Sequence, residues 1–255
     1  MTVQYASDLH LEFPQNLRYL QQHPLEVAGD ILILAGDILY LNQDYKKNIF
    51  WNWASENYQQ VIVALGNHEF YHDSDIKDYS DGRTINIRHN INVYYNSIVN
   101  IDDVDFIVST LWAEIHPTDA YITSNSVSDF YQIMYGKHRL TTDDFNNEHK
   151  RCLAFIKKAV TKSTAKHKVV VTHHVPSMLL TAPEYKNSPI NGAFTVELGD
   201  YIANSPIDYW IYGHSHRNIE KTIGSTRCVT NQLGYVQNGE HRTFNPSKHI
   251  DLKVL

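Results

Sequence analysis

Five short apolar runs mark out the chain: TVQYA at 2–6, ILILA at 31–35, VIVAL at 61–65, KVVVT at 168–172 and YWIY at 209–212. Each is four or five residues long and rich in β-branched or aromatic residues, a pattern that predicts strands buried on both faces. Between them the apolar positions recur at helical spacing. Tyr45, Ile49, Trp53 and Ala54 share a face in 44–58; Phe145, His149, Cys152, Leu153, Ile156 and Val160 do so in 142–160; Phe194, Leu198 and Ile202 do so in 193–203. The second of these has Thr141 or Thr142 to cap its start and Lys157 and Lys158 near its end, which suits the helix dipole. Segments 91–95, 98–101, 104–112 and 226–237 read as further strands, more than one sheet would use. The expectation is an α/β chain with two packed sheets. Segments 113–140 and 181–192 are polar and aromatic without a period, and are expected to be cap loops over a site.

The residues just beyond each run are more informative than the runs themselves. The first leads into Ser7-Asp8-Leu9-His10, the second into Gly36-Asp37, the third into Gly66-Asn67-His68-Glu69, the fourth into His173-His174 and the fifth into Gly213-His214-Ser215-His216. With 15 histidines in 255 residues, roughly one His-x-His pair is expected by chance. The pair at 214 and 216 therefore means little alone; its recurrence in kind at five strand ends does not. Asp30 also follows a glycine, but Asp37 has the longer apolar strand before it, and Asp30 reads as a turn residue.

Oxygen donors from Asp8, Asp37 and Asn67 mixed with imidazoles from His10, His173, His214 and His216 suit Mn, Fe, Zn or Co. Calcium would want oxygen alone, and structural zinc would usually include thiolate. The two cysteines, 152 and 228, supply neither a thiolate site nor a disulfide framework. Seven donors exceed the needs of one tetrahedral ion, whereas two ions sharing a carboxylate would use them all. Such pairs, about 3.5–4 Å apart, are suited to in-line displacement at phosphorus.

Taken together, Asp8-x-His10, Gly36-Asp37, Gly66-Asn67-His68-Glu69, His173 and Gly213-His214-x-His216 resemble the signature of the calcineurin-like metallophosphoesterase superfamily. The blocks run in order from residue 8 to residue 216. The resemblance implies a two-sheet β-sandwich flanked by helices, a four-layer α/β/β/α arrangement. It implies that Asp8, His10, Asp37 and His216 hold one divalent ion and that Asp37, Asn67, His173 and His214 hold the other, with Asp37 bridging. The nucleophile would be a hydroxide activated by the metals, and His68 would stabilise the transition state or protonate the leaving oxygen. Thr172-His173-His174-Val175-Pro176 fits the family with the first histidine as ligand, leaving His174 beside the site. Phosphoprotein phosphatases of the superfamily extend the second block as Gly-Asp-x-x-Asp-Arg-Gly. Here it reads Gly36-Asp37-Ile38-Leu39-Tyr40-Leu41-Asn42, so the acid that would pair with His68 and the arginine that would grip phosphate are both expected to be missing. That points to a small phosphodiester or phosphomonoester, as in the small bacterial-type branch.

Two other readings compete. His68-Glu69-Phe70-Tyr71-His72 matches the His-Glu-x-x-His pattern of zinc proteases, which requires one helix to carry both histidines. A non-catalytic metal-binding scaffold is the second, although such relatives usually lose ligands or the His68 equivalent. The net charge of −6, without a lysine or arginine cluster, argues against duplex nucleic acid as a partner. No apolar stretch reaches 18 residues, so a membrane span is not expected, and the start is strand-like rather than signal-like. The reading is one cytoplasmic domain, 1–255.

Overall fold

The computed structural model describes residues 1–41, 44–72 and 74–252; Asn42, at the end of the second block, lies outside them. The first sheet orders β14 (His249–Asp251), β1 (Thr2–Ala6), β2 (Ile31–Ala35), β3 (Gln60–Ala64), β5 (Ile91–Tyr95) and β4 (Arg83–Arg88). Its four central strands are parallel, and its two edge strands run antiparallel to their neighbours. The second orders β12 (Lys221–Ile223), β13 (Thr226–Thr230), β11 (Tyr209–Tyr212), β10 (His167–Val171), β7 (Val104–Val108) and β6 (Ser97–Ile101). It too has a parallel centre and antiparallel edges. A ribbon of β8 (Met134–Tyr135) and β9 (His138–Arg139) stands apart.

Strand alternation divides the core. Val3, Tyr5, Ile31, Ile33, Ile62 and Ala64 of the first sheet join Phe106, Val108, Val169, Val171, Ile211 and Val229 of the second in one apolar layer between the sheets. The intervening residues, Leu32, Leu34, Val61 and Val63 on one side and Ile107, Val170, Trp210 and Cys228 on the other, pack outward. They meet Leu20 of α1 (Pro14–Gln22), Trp51 and Ala54 of α2 (Phe50–Asn57), Phe145, Cys152 and Ile156 of α5 (Thr142–Lys162), and Ile202 of α6 (Gly199–Ala203). Both faces of the central strands are buried, which is why they read as unbroken apolar runs. The expected sandwich flanked by helices is the observed architecture.

Several boundaries differ from the sequence pattern. The helix expected at 44–58 starts at Phe50, because Asn48 is extended (ψ 131°) and its Oδ1 accepts from the Phe50 N–H. The helix expected at 193–203 starts at Gly199; before it, the Val175 and Val196 N–H groups donate to Phe194 and Val175 carbonyls in a short bridge. The strand expected at 104–112 ends at Val108, ahead of Leu111 and Trp112, both with positive φ. The strand expected at 226–237 ends at Thr230, and a positive-φ Gly234 turns the chain toward the site. Segment 113–140 carries α3 (Ala120–Ser126) and α4 (Asp129–Gln132), whereas 181–192 is built of isolated turns. No helix among the described residues is long and apolar enough to cross a membrane.

Candidate metal centre

The five candidate blocks leave the carboxyl ends of β1, β2, β3, β10 and β11 and converge on one edge of the sandwich, where open α/β sheets place ligands. Backbone bonds tie the loops together: Asp8 N–H to Gly36 O, His10 N–H to Asp37 O, and Gly213 N–H to His173 O. Asp8, His10, Asp37, His214 and His216 all have left-handed φ, between 47° and 75°. Each such residue costs on the order of 1–3 kcal/mol and persists where its surroundings dictate it, commonly at functional sites. Glycines make the approach close enough. A Cβ on Gly66 would lie 2.1 Å from Asp37 Oδ1, and one on Gly213 would lie 2.7 Å from Asp8 Oδ2.

Two donor groups result. Asp8, His10 and His216 form one: the Nε2 atoms of the two histidines are 3.0 Å apart, and His216 Nε2 is 3.3 Å from Asp8 Oδ1. Asp37, His173 and His214 form the other, with His173 Nε2 at 3.3 Å from Asp37 Oδ2 and 3.0 Å from Asn67 Oδ1. Asp37 Oδ2 lies between them, 3.9 Å from His10 Nε2. Its other oxygen, Oδ1, accepts the His68 N–H. The seven residues singled out from the sequence are thus brought together, with His68 beside them.

The donor set fits divalent cations in a specific way. A metal-binding histidine usually donates its second ring N–H to a carboxylate or carbonyl. Here His10 Nδ1 faces Glu12 Oε1 at 3.0 Å, His173 Nδ1 faces Ala35 O at 2.9 Å, His216 Nδ1 faces Glu240 Oε2 at 2.7 Å, and His214 Nε2 faces Ala193 O at 3.2 Å. Those contacts leave the other nitrogen of each ring, with its lone pair, aimed inward. The Asn67 amide is oriented likewise: its Nδ2 donates to Asp129 Oδ1 at 2.8 Å, turning Oδ1 toward His173. Two inward nitrogens 3.0 Å apart need a proton or a cation between them. Without ions, protons serve: burial pulls His173 and His216 down, but Asp37 holds the first at about 9, and Asp8 and Glu240 hold the second at about 10. Burial and the neighbouring His173 push His214 the other way, to about 3. The cluster has an appetite for positive charge that two divalent ions would meet.

His173 stands in the second group while His174 is turned away, its Nδ1 3.3 Å from Thr110 O and its ring against Trp112. Asp30, by contrast, sits at the surface, with Asp30 Oδ1 accepting from Gln59. The protease geometry is not formed. His68–Phe70 is a single 3-10 turn, Tyr71 is extended and His72 has φ 62°, so no helix carries both histidines. Glu69 instead accepts three backbone N–H groups, from Asp37, Ile38 and Gly66, and staples the second block to the third.

Three residues that the structure places at the cluster escaped sequence reasoning. Glu12 is the acidic partner of His68 that the second block lacks: its Oε1 lies 2.9 Å from His68 Nδ1 and also holds His10. The expectation that His68 lacks an acid partner is therefore corrected, the partner coming from the first block. The signal was Asp8-x-His10-x-Glu12, whose alternate positions can face one way. Tyr235 places its hydroxyl 3.3 Å from His68 Nε2 and its ring beside His10 and His216. It ends the stretch TNQLGY at 230–235, in which the Asn231 side chain stitches Tyr5 to Asn245. Asp129, from the expected cap, had no sequence signal. His116 and His138 are exposed, bonded to Thr118 and Asp144.

A cavity of 410 Å³ opens over the cluster, walled by parts of both expected cap segments, 126–129 and 181–191, and by His68, His214, His216 and Tyr235.

Comparison with known proteins agrees with this geometry. The chain is 30% identical to Uncharacterized protein L509 of Acanthamoeba polyphaga mimivirus over 281 aligned positions, covering 99% of this chain and 97% of the viral one. Its fold superposes on phosphopantetheinyl hydrolase from Mycobacterium tuberculosis with a TM-score of 0.71 at 15% identity, covering 98% and 95% of the two chains. A dimetal phosphatase from Danio rerio matches with a TM-score of 0.50 at 10% identity, over 91% and 87%. The sequence profile of the calcineurin-like phosphoesterase family matches residues 1–218. The chain belongs to the calcineurin-like phosphoesterase family and is a metal-dependent phosphoric ester hydrolase.

Proposed function

We propose that the protein hydrolyses a small phosphodiester or phosphomonoester, with Asp8, His10, Asp37 and His216 holding one divalent ion and Asp37, Asn67, His173 and His214 the other. The position of Asp37 Oδ2 between the two histidine groups, 3.3 Å from His173 and 3.9 Å from His10, is the observation that carries this reading. Bound ions of the Mn, Fe, Zn or Co type would supply charge to the phosphoryl oxygens and lower the pKa of water. The chain does the rest. Glu12 fixes the Nδ1 side of His68 and Tyr235 meets its Nε2, so that the imidazole stands at the cavity wall. From there it donates a proton to the departing oxygen.

No lysine or arginine lines the cavity among the described residues. A phosphoryl group with two negative charges would find no guanidinium, which favours the diester over the monoester. We read 1–255 as one domain, supported by β14 returning from the C-terminal region to pair with β1, with 113–140 and 181–192 as its cap.

The test is paired hydrolysis of bis-p-nitrophenyl phosphate and p-nitrophenyl phosphate by metal-stripped protein, with and without added Mn²⁺. The reading expects metal-dependent turnover, faster on the diester, and loss of both turnover and metal in Asp37→Asn. Full metal loading with no turnover of any phosphoester would favour the scaffold.

A further inference from the structure

Besides the candidate ligands and His68, the ionisable side chains of the cavity wall include the carboxylates Asp129 and Glu240, with no lysine or arginine among the described lining residues. The nearby Arg217 is already engaged, its Nε 3.0 Å from Glu184 Oε1 and its Nη2 2.8 Å from the Tyr185 hydroxyl. A substrate arm bearing a carboxylate or a second phosphate would shed its water against acidic groups, with no cation to receive it.

Asp129 adds a positive requirement. It is fully buried at the start of α4. Its Oδ1 accepts from the Tyr71 hydroxyl at 2.7 Å and from Asn67 Nδ2 at 2.8 Å, while Oδ2 is buried without a hydrogen-bond partner among the described residues. A buried acceptor left unmade costs on the order of 1–3 kcal/mol, a cost that a bound donor would remove. The remaining wall offers hydroxyls, from Ser126, Ser128 and Thr181, and apolar surface, from Ile190 and Phe194.

Resting on the phosphodiester reading, we propose that the cavity receives the second ester arm of the diester, and that this arm is non-anionic and presents an O–H or N–H donor to Asp129 Oδ2. In the reaction, a water oxygen bonds to phosphorus and the leaving oxygen departs with the electron pair of its broken P–O bond. One water proton goes to that oxygen or to solvent; the arm stays esterified and is released as its phosphomonoester.

The test compares four p-nitrophenyl alkyl phosphates with one leaving group and different arms, none with a hydroxyl that could attack phosphorus: 2-acetamidoethyl, 2-aminoethyl, 2-methoxyethyl and 2-carboxyethyl. Manganese-loaded protein is expected to favour the acetamidoethyl or aminoethyl arm over methoxyethyl by about tenfold in kcat/KM, the worth of one hydrogen bond to a charged group. The carboxyethyl diester should be the poorest. Asp129→Asn should shrink the ratio of acetamidoethyl to methoxyethyl turnover, whatever it does to both rates. Ser126→Lys, at an exposed position of the cavity wall, should raise the ratio of carboxyethyl to methoxyethyl turnover several-fold. Equal rates on all four arms, or a ratio untouched by Asp129→Asn, would overturn this inference and leave the hydrolase reading standing. No turnover of any of the four by the metal-loaded protein would bring down the diester reading and this inference with it.

Discussion

Replacing Glu12 with alanine removes a single carboxylate oxygen that serves two rings, His10 Nδ1 at 3.0 Å and His68 Nδ1 at 2.9 Å. Both rings are buried, so each loses its fixed orientation and is left with an N–H that water reaches poorly. Each unmet donor costs on the order of 1–3 kcal/mol. For a histidine that holds a metal, loss of such a partner typically weakens metal affinity or activity by about 10–100-fold. Two separable effects are therefore expected in Glu12→Ala. Mn²⁺ titration should show one of two ions bound about 10–100-fold more weakly, through His10. At saturating Mn²⁺, kcat should still be about tenfold low or worse, through His68. The pH profile distinguishes positioning from general loosening. Burial lowers the His68 pKa, but Asp37 and Glu12 outweigh it and the net direction is upward. Without Glu12 the imidazole loses its proton more easily, so the alkaline limb of the kcat profile should move to lower pH. Glu12→Gln, which keeps an acceptor oxygen but no charge, should recover part of the metal affinity and less of the limb. Wild-type kcat at saturating Mn²⁺ with an unmoved alkaline limb in Glu12→Ala would refute the reasoning.

The same geometry yields two further outcomes. His68→Ala should retain both ions, since His68 is not among their expected ligands, and lose about 10²-fold or more in kcat; loss of metal by inductively coupled plasma analysis would show the role to be misassigned. In metal-free protein, His173 and His216 hold their protons more tightly folded than unfolded. The stability they contribute is present below about pH 6.5 and lost as pH rises through about 9 and about 10, so the Tm should fall across that window. Saturating Mn²⁺ should raise the Tm and remove the fall, because ions replace the protons; a metal-free Tm flat from about pH 7 to 10 would contradict this.

Much of the sandwich was legible because its central strands are buried on both faces. ILILA at 31–35 can be little other than an inner strand, and β2 has those bounds. The candidate ligands were legible because each follows closely on such a strand, which fixes where it must emerge. The features that escaped lack one of these signals. β4 begins with exposed residues and pairs at an edge, so no apolar pattern marks it. α1 is announced by Pro14 at its first turn but buries only Asn16 and Leu20. Glu12 and Tyr235 reach the site from two loops, after turns at Asp8, His10 and Gly234 where backbone with positive φ redirects the chain, and Asp129 reaches it from the start of α4. Asp129 in particular is distant in sequence from Asn67, the residue it orients, and nothing local to either predicts the pairing.

The central claim is a pair of divalent ions sharing Asp37. Anomalous diffraction from crystals of the Mn²⁺-loaded protein tests it directly. The account predicts two peaks about 3.5–4 Å apart, one against Asp8, His10 and His216, the other against Asn67, His173 and His214, with the Asp37 carboxylate between them. A single peak, or two peaks of which neither touches Asp37, would contradict it.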